Sequence, residues 1–245
     1  MKDIFSAASA DYARYRPSYP TELFDFLFSS CQNLDQAWDA ATGNGQLAVG
    51  LAERFEQVFA TDISENQLAN AQPRPNIQYA VGSAEAPDFP DHAFDLLTVG
   101  QAAHWFQFDD FYRSARRVLK PGGVLALVGY NVLTVDAPTD AIFNRLYHET
   151  LEGYWDPERH HVYDAYTTIP FPFREIPLPE MHMTCSWSLE QLLGYLHTWS
   201  AVRRYTEKNG RSPLDEDFVG ALRMFWAENE VKFVHFPIFA RVARL

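Results

Sequence analysis

The chain has 245 residues, 47% of them hydrophobic, enough to bury a full core in one large domain. Twenty Lys and Arg against 32 Asp and Glu give a formal net charge of −12, which excludes the basic face that a nucleic-acid backbone demands. Two distant cysteines, Cys31 and Cys185, exclude a disulfide framework or zinc knuckle, and no apolar run approaches ~20 residues or a cleavable leader, so a cytoplasmic protein with no membrane partner is expected.

In chain order, "PTELFDFLFS" opens on Pro20 and continues with dense apolar positions, predicting a buried helix to Ser30. "QAWDA" (36–40) predicts strand one, "LAVGLAERF" a helix and "QVFATD" (57–62) strand two. Ser64 with Gln67 forms a capping box for "SENQLANA". The alternation repeats with the strands "NIQYAVG" and "AFDLLTVGQ", the helix "DDFYRSARRVLK", the breaker "PGG" and the strand "VLALVGY". Strands alternating with helices, and reading as continuous apolar runs, predict an α/β fold with a mostly parallel sheet covered on both faces.

Beyond about residue 135 the order changes. A helix "APTDAIFNRLYHETL" precedes a Pro- and aromatic-rich segment from Gly153 to Glu180 and then "MHMTCSWS". Two helices follow, "SLEQLLGYLHTWSAVRRY" and "PLDEDFVGALRMFWAENE", and a closing strand over 231–243 whose Pro237 suits an edge or a bulge. The domain reading is one unit, 1–245, with a core at 33–135 and a cap made from 1–30 and parts of 136–228.

The turn "WDAATGNGQ" sits where an open parallel sheet binds its ligands, beyond the carboxyl end of the first strand. Gly43-x-Gly45-x-x-Ala48 satisfies a dinucleotide pattern, with Asp62 at the distance of a ribose-binding acid, so NAD and an oxidoreductase are one reading. Tyr205 and Lys208 have the Tyr-x-x-x-Lys spacing that would support it, but they fall in a helical region far from the sheet.

Taken together, Asp39 before the turn, Asp62 ending strand two, "VGSAE" (81–85), "FDLLTVGQAAHWF" and "VLKPGGVLAL" resemble the Rossmann-like S-adenosylmethionine-dependent methyltransferases over residues 36–129. The resemblance implies a seven-stranded sheet, S-adenosylmethionine as cofactor and a helical cap. It assigns the methionyl part to Asp39, Ala41, Gly43 and Gly45, the ribose hydroxyls to Asp62 with Ile63 beside it, and the adenine to Ser83, Ala84 and Glu85, with Gln101 closing the cofactor site. Ala41 replaces the family's first glycine, and a negative φ is expected there; Gly43 and Gly45 are expected to lie against the ligand. A non-catalytic protein that only binds the cofactor is the other alternative.

"DYARYRPSYP", "GQAAHWF" and "YLHTWSAVRRY" are similar to the trans-aconitate methyltransferase branch, which implies a small organic acceptor methylated on a carboxylate oxygen. His104, after strand four, is the expected base or hydrogen-bond donor, its alternative being a packed histidine. Arg16, Arg203 and Arg204 are cations for an acceptor carboxylate, since a guanidinium meets both oxygens in a planar fork. Tyr12, Arg16 and Tyr19 are expected in a lid, and Trp105, Trp155, His160, His161 and Tyr163 around the acceptor. No third ligand accompanies His160 and His161, so no metal is expected.

Overall fold

The computed structural model describes residues 17–245. A seven-stranded sheet runs in the order β3-β2-β1-β4-β5-β7-β6, with β1 (Gln36–Ala40), β2 (Gln57–Asp62), β3 (Ile77–Val81), β4 (Phe94–Gly100) and β5 (Leu119–Tyr130) parallel. β7 (Val231–Arg244) runs antiparallel to both β5 and β6 (His182–Ser188). Strand order reverses between β1 and β4, and the two chain paths diverge there. The seven-stranded, mostly parallel α/β fold expected from the sequence is therefore present, and β1 and β2 occupy the expected residues.

Side chains on successive strand positions enter opposite faces, and the sheet separates its apolar residues accordingly. Ala37, Leu96, Val124, Ala126 and Val128 join one buried cluster, while Trp38, Leu97, Val99, Leu125 and Leu127 join the other. β4 is buried along almost its whole length, which explains its largely apolar sequence. On the first face, helix α1 (Thr21–Ser30) inserts Leu23, Leu27 and Phe28 against Leu51 and Phe55, so it is part of the core. The opposite face receives the helix over Phe108–Val118, whose buried Phe111, Tyr112, Ala115 and Val118 fall on one stripe. Acids Asp109 and Asp110 begin that helix and Arg116 and Arg117 end it, matching its dipole.

Three expectations need correction. Pro237 is not on an edge strand, because β7 lies between β5 and β6. It sits where β7 changes neighbours: His182 pairs Pro237 on β6, Tyr130 pairs Ile238 on β5, and the Pro237 carbonyl accepts Asn131 N–H at 2.9 Å. A residue with no amide proton is tolerated at such a changeover. The helix expected over 188–205 is two, Leu189–His197 and Ser200–Asn209. Thr198 Oγ1 donates to the Tyr195 carbonyl and Trp199 becomes extended, which buries its indole beside Tyr147 and Trp155. The segment 137–151 is α-helical to Arg145 and then widens into one π turn.

Candidate functional site

A cleft of about 870 Å³, the open solvent at its mouth included, opens at the carboxyl ends of β1, β2, β4 and β5. Its polar end is built around two acids. Asp39, next to last in β1 and 1% exposed, accepts Thr98 Oγ1 at 2.7 Å on one oxygen and Thr42 Oγ1 at 2.5 Å on the other. Burial pushes this carboxyl up to about 6, against the hydroxyls of Thr42 and Thr98 and the Ala48 amide, which pull the other way; the charge of Asp62 adds to the rise.

Asp62 ends β2. Its Oδ2 accepts Gly43 N–H and its Oδ1 accepts Ser64 N–H, both at 2.9 Å, and Thr42 N–H reaches the Thr61 carbonyl at the same distance. The first turn is thus stitched to the second strand by main-chain and side-chain bonds. Ser64 then caps the short helix Glu65–Leu68 by accepting Gln67 N–H, as the sequence suggested.

Ala41 has φ +52°, overturning the negative φ expected for it. The chain keeps the glycine-like backbone at this position and carries a methyl group there, at a local cost. Gly43 (φ +58°) lines the cleft, and an added Cβ would find nothing nearer than Gln67 Oε1 at 4.0 Å. Gly45 does not line it: its Cβ would lie 2.4 Å from Tyr79 Oη, so that glycine makes room for a tyrosine rather than for a ligand.

Ile63 and Gln101 are both in the lining. Gln101 also has a positive φ, +54°, and its amide brackets β5, donating to the Tyr130 carbonyl at 3.0 Å and accepting Tyr130 N–H at 2.8 Å. It is a strut that ties the end of β4 to the end of β5. The cleft's other end is aromatic, with Trp105, Tyr130 and Tyr19, the last two edge to face at 6.4 Å. No lysine or arginine lines the cleft among the described residues.

Several expected site residues lie elsewhere. Ser83, Ala84 and Glu85 are outside the lining; Glu85 Oε1 accepts Gln107 N–H at 2.7 Å and its carbonyl accepts Ser114 Oγ, fastening the start of the Phe108–Val118 helix. His104, 5% exposed, is outside the lining, with Nδ1 3.2 Å from the Tyr166 hydroxyl. Burial, reinforced by the charges of Arg159 and His161, holds this imidazole down to about 3.

Trp155 stacks among Tyr147 and Trp199 and donates Nε1 to the Tyr147 carbonyl. Arg203 lines a separate surface hollow with Trp199 and Glu207, and Arg204 pairs with Asp156 at 2.6 Å. His160 and His161 bond to Pro157 and Thr168, and no cluster able to hold a metal occurs among the described residues. Lys208 lies over the Tyr154 ring, so the Tyr205–Lys208 pair is remote from the cleft. Tyr12 and Arg16 lie outside the described residues.

The sequence reading missed Thr42, Thr98 and Tyr130. Each is the residue beside or opposite a strand end already singled out, and that position is the signal that could have found them. The orphan-free partnering of Asp39 fits a cationic or polyhydroxylated ligand, because the acid is dry, hydrogen-bonded and facing a cleft without a competing cation among the described residues.

Comparison with known proteins agrees with this geometry. The family described as "Methyltransferase domain" matches residues 38–127, from Trp38 to the middle of β5. A Dictyostelium discoideum protein described as a methyltransferase is 31% identical over 244 residues, covering 97% of this chain and 93% of its own. The solved structure of a type II methyltransferase from Anaeromyxobacter dehalogenans is 40% identical, covers 94% of this chain and 98% of its own, and superposes with a TM-score of 0.88. A Bacillus halodurans structure at 21% identity, TM-score 0.51, covering 90% of this chain and 97% of its own, shares the fold. Among the described residues no helix is long and apolar enough to cross a membrane.

Proposed function

The chain belongs to the S-adenosylmethionine-dependent methyltransferases, and within that family we propose that it methylates an ionised oxygen of a small organic acceptor, a carboxylate first. The cofactor supplies a methyl group on a positively charged sulfur, which an anionic oxygen attacks in line. The carrying observation is that, among the described residues, no histidine lines the cleft and no carboxylate lines its aromatic half. Among the described residues the carboxylates lining the cleft, Asp39 and Asp62, are committed to hydrogen bonds at its polar end, and His104 is outside the lining. An alcohol or amine would need a base in the aromatic half; a carboxylate or phenolate arrives as a nucleophile.

Asp39 holds the cofactor's ammonium group and Asp62 its ribose hydroxyls, beside the turn at Ala41 and Gly43, with Ile63 flanking the nucleoside. Gln101 contributes its backbone, its side chain being occupied by Tyr130. Tyr19, Trp105 and Tyr130 make a dry wall that positions the acceptor and excludes water. Arg16, outside the described residues, is the cation that the trans-aconitate-like resemblance offers for an acceptor carboxylate.

The test is a panel of di- and tricarboxylic acids, phenols and amines, read by formation of S-adenosylhomocysteine. Turnover of acids or phenols supports the proposal. Turnover confined to amines or neutral alcohols defeats it.

A further inference from the structure

Behind the aromatic wall lies a second arrangement that the chemistry above does not use. Tyr166 is fully buried, and its hydroxyl lies 3.2 Å from His104 Nδ1. The turn 103–105 is one short 3-10 helix, too short to satisfy its own first amides. Tyr166 reaches this turn from 62 residues away in the chain, through the His104 ring. In the tautomer that carries its hydrogen on Nε2, His104 accepts the Tyr166 hydroxyl proton at Nδ1.

The segment that delivers this hydroxyl is strained and clamped. Ala165 (φ +50°) and Tyr166 (φ +59°) are consecutive non-glycine residues in the left-handed region, an arrangement the surroundings must impose. Arg241 imposes it from β7: Nη1 donates to the carbonyls of Tyr166 at 2.8 Å and Ile169 at 3.2 Å, while Nε and Nη2 fork onto Glu175 at 2.7 Å each. The Tyr166 ring packs edge to face on Phe239 of the same strand, at 4.9 Å. On the near side, Trp105 lines the cleft and lies 4.8 Å from the His104 ring.

A continuous path therefore runs from β7 through Tyr166 to the turn that presents Trp105. We infer that Tyr166 is a positioning residue, which fixes the turn 102–105 and with it the Trp105 wall against the methyl acceptor. The inference rests on the methyl-transfer reading of the cleft and names the device that holds its acceptor side. The polar end is independent of it, since Asp39 and Asp62 are stitched through Thr42, Thr98, Gly43 and Ser64. Loosening the anchor should consequently weaken acceptor use and spare the cofactor.

Tyr166→Phe keeps the ring on Phe239 and removes the hydroxyl. Amide hydrogen exchange over 102–106 in the ligand-free chain is expected to speed up about tenfold relative to β4. The acceptor KM is expected to rise about fivefold or more, with the dissociation constant for S-adenosylhomocysteine within about twofold of wild type. A histidine pair tests the same bond should Tyr166→Phe fail to fold. In His104→Asn an amide oxygen replaces Nδ1 as acceptor, and KM is expected to stay near wild type; His104→Leu, which has no acceptor, is expected to behave as Tyr166→Phe.

Unchanged exchange and KM in Tyr166→Phe overturn the inference. So do equal losses in His104→Asn and His104→Leu, or a loss of S-adenosylhomocysteine affinity as large as the loss in KM. A wild-type chain that turns over no acid or phenol defeats the proposed acceptor instead, and the exchange measurement, which needs no acceptor, still decides whether Tyr166 anchors the turn.

Discussion

The Asp62 carboxylate accepts the Gly43 amide at 2.9 Å, so the acid that ends β2 also shapes the turn that ends β1. Asp62→Ala removes the proposed ribose partner and strands the amides of Gly43 and Ser64 together. S-adenosylhomocysteine affinity should fall ~100-fold, about 3 kcal/mol, and stability by about 1–2 kcal/mol. Calorimetric titration and urea denaturation read the two separately. Lost stability with intact affinity would make Asp62 a turn residue alone.

Asp39 gives the cleft a pH dependence. Its carboxyl titrates near 6 in the folded chain against 3.8 for an ordinary aspartate, chiefly because it is buried. Between those values the folded chain holds a proton that the unfolded chain has released. The stability Asp39 contributes is therefore complete below about pH 4 and is lost as pH rises through 6. Cofactor binding should run the opposite way, since an ammonium group prefers the ionised acid: affinity should weaken toward tenfold per unit as pH falls below about 6. Titrations from pH 5 to 8 should show this slope in the wild type and a flatter one in Asp39→Asn.

Two substitutions in the first turn should have opposite signs. Ala41→Gly relieves a left-handed alanine at φ +52° and should stabilise by about 0.5 kcal/mol, the strain relieved slightly exceeding the added freedom of the unfolded chain. Gly45→Ala forces a methyl into a φ of +85° and to 2.4 Å from Tyr79 Oη, and should destabilise by about 2 kcal/mol. Urea midpoints at constant slope would check both; equal signs would mean that the turn tolerates either residue.

What the sequence disclosed follows from where information is local. β1 and β2 were readable to the residue because a buried parallel strand is a short, mainly apolar run, and Asp39 and Asp62 stand at the carboxyl ends of those runs. Ala41's φ was not readable, since the stitching of Thr42 and Gly43 to β2 comes from 19 residues downstream and overrides an alanine's own preference. His104 read as a candidate base or donor by its place after β4, and the structure sets it against Tyr166, which arrives from the segment whose path the sequence left open. Pro237 looked like an edge residue because a proline excludes one hydrogen bond, and the sheet accommodates it where β7 exchanges β6 for β5.

Stability and ligand binding should separate along the sheet's length. At the opposite ends of the strands from the cleft, Asp95 is 5% exposed, its Oδ2 accepts Gln36 N–H at 3.0 Å, and Lys120 reaches both of its oxygens at 2.9 Å while also pairing with Asp35. Lys120 itself keeps partial contact with water, so the pair costs less desolvation than a fully buried one. Removing the cation leaves Asp95 charged, buried and held by one amide. Lys120→Met, which keeps the aliphatic stem, should therefore lose about 2 kcal/mol of stability. Asp95→Asn combined with Lys120→Met should recover part of that loss, because it removes the stranded charge as well. The cleft's acids are bonded at the other strand ends through Thr42, Thr98, Gly43 and Ser64, so S-adenosylhomocysteine affinity should stay within about twofold in both variants. Urea denaturation and calorimetric titration on the same preparations would check the separation, and a matching loss of affinity would show that the two ends of the sheet are coupled.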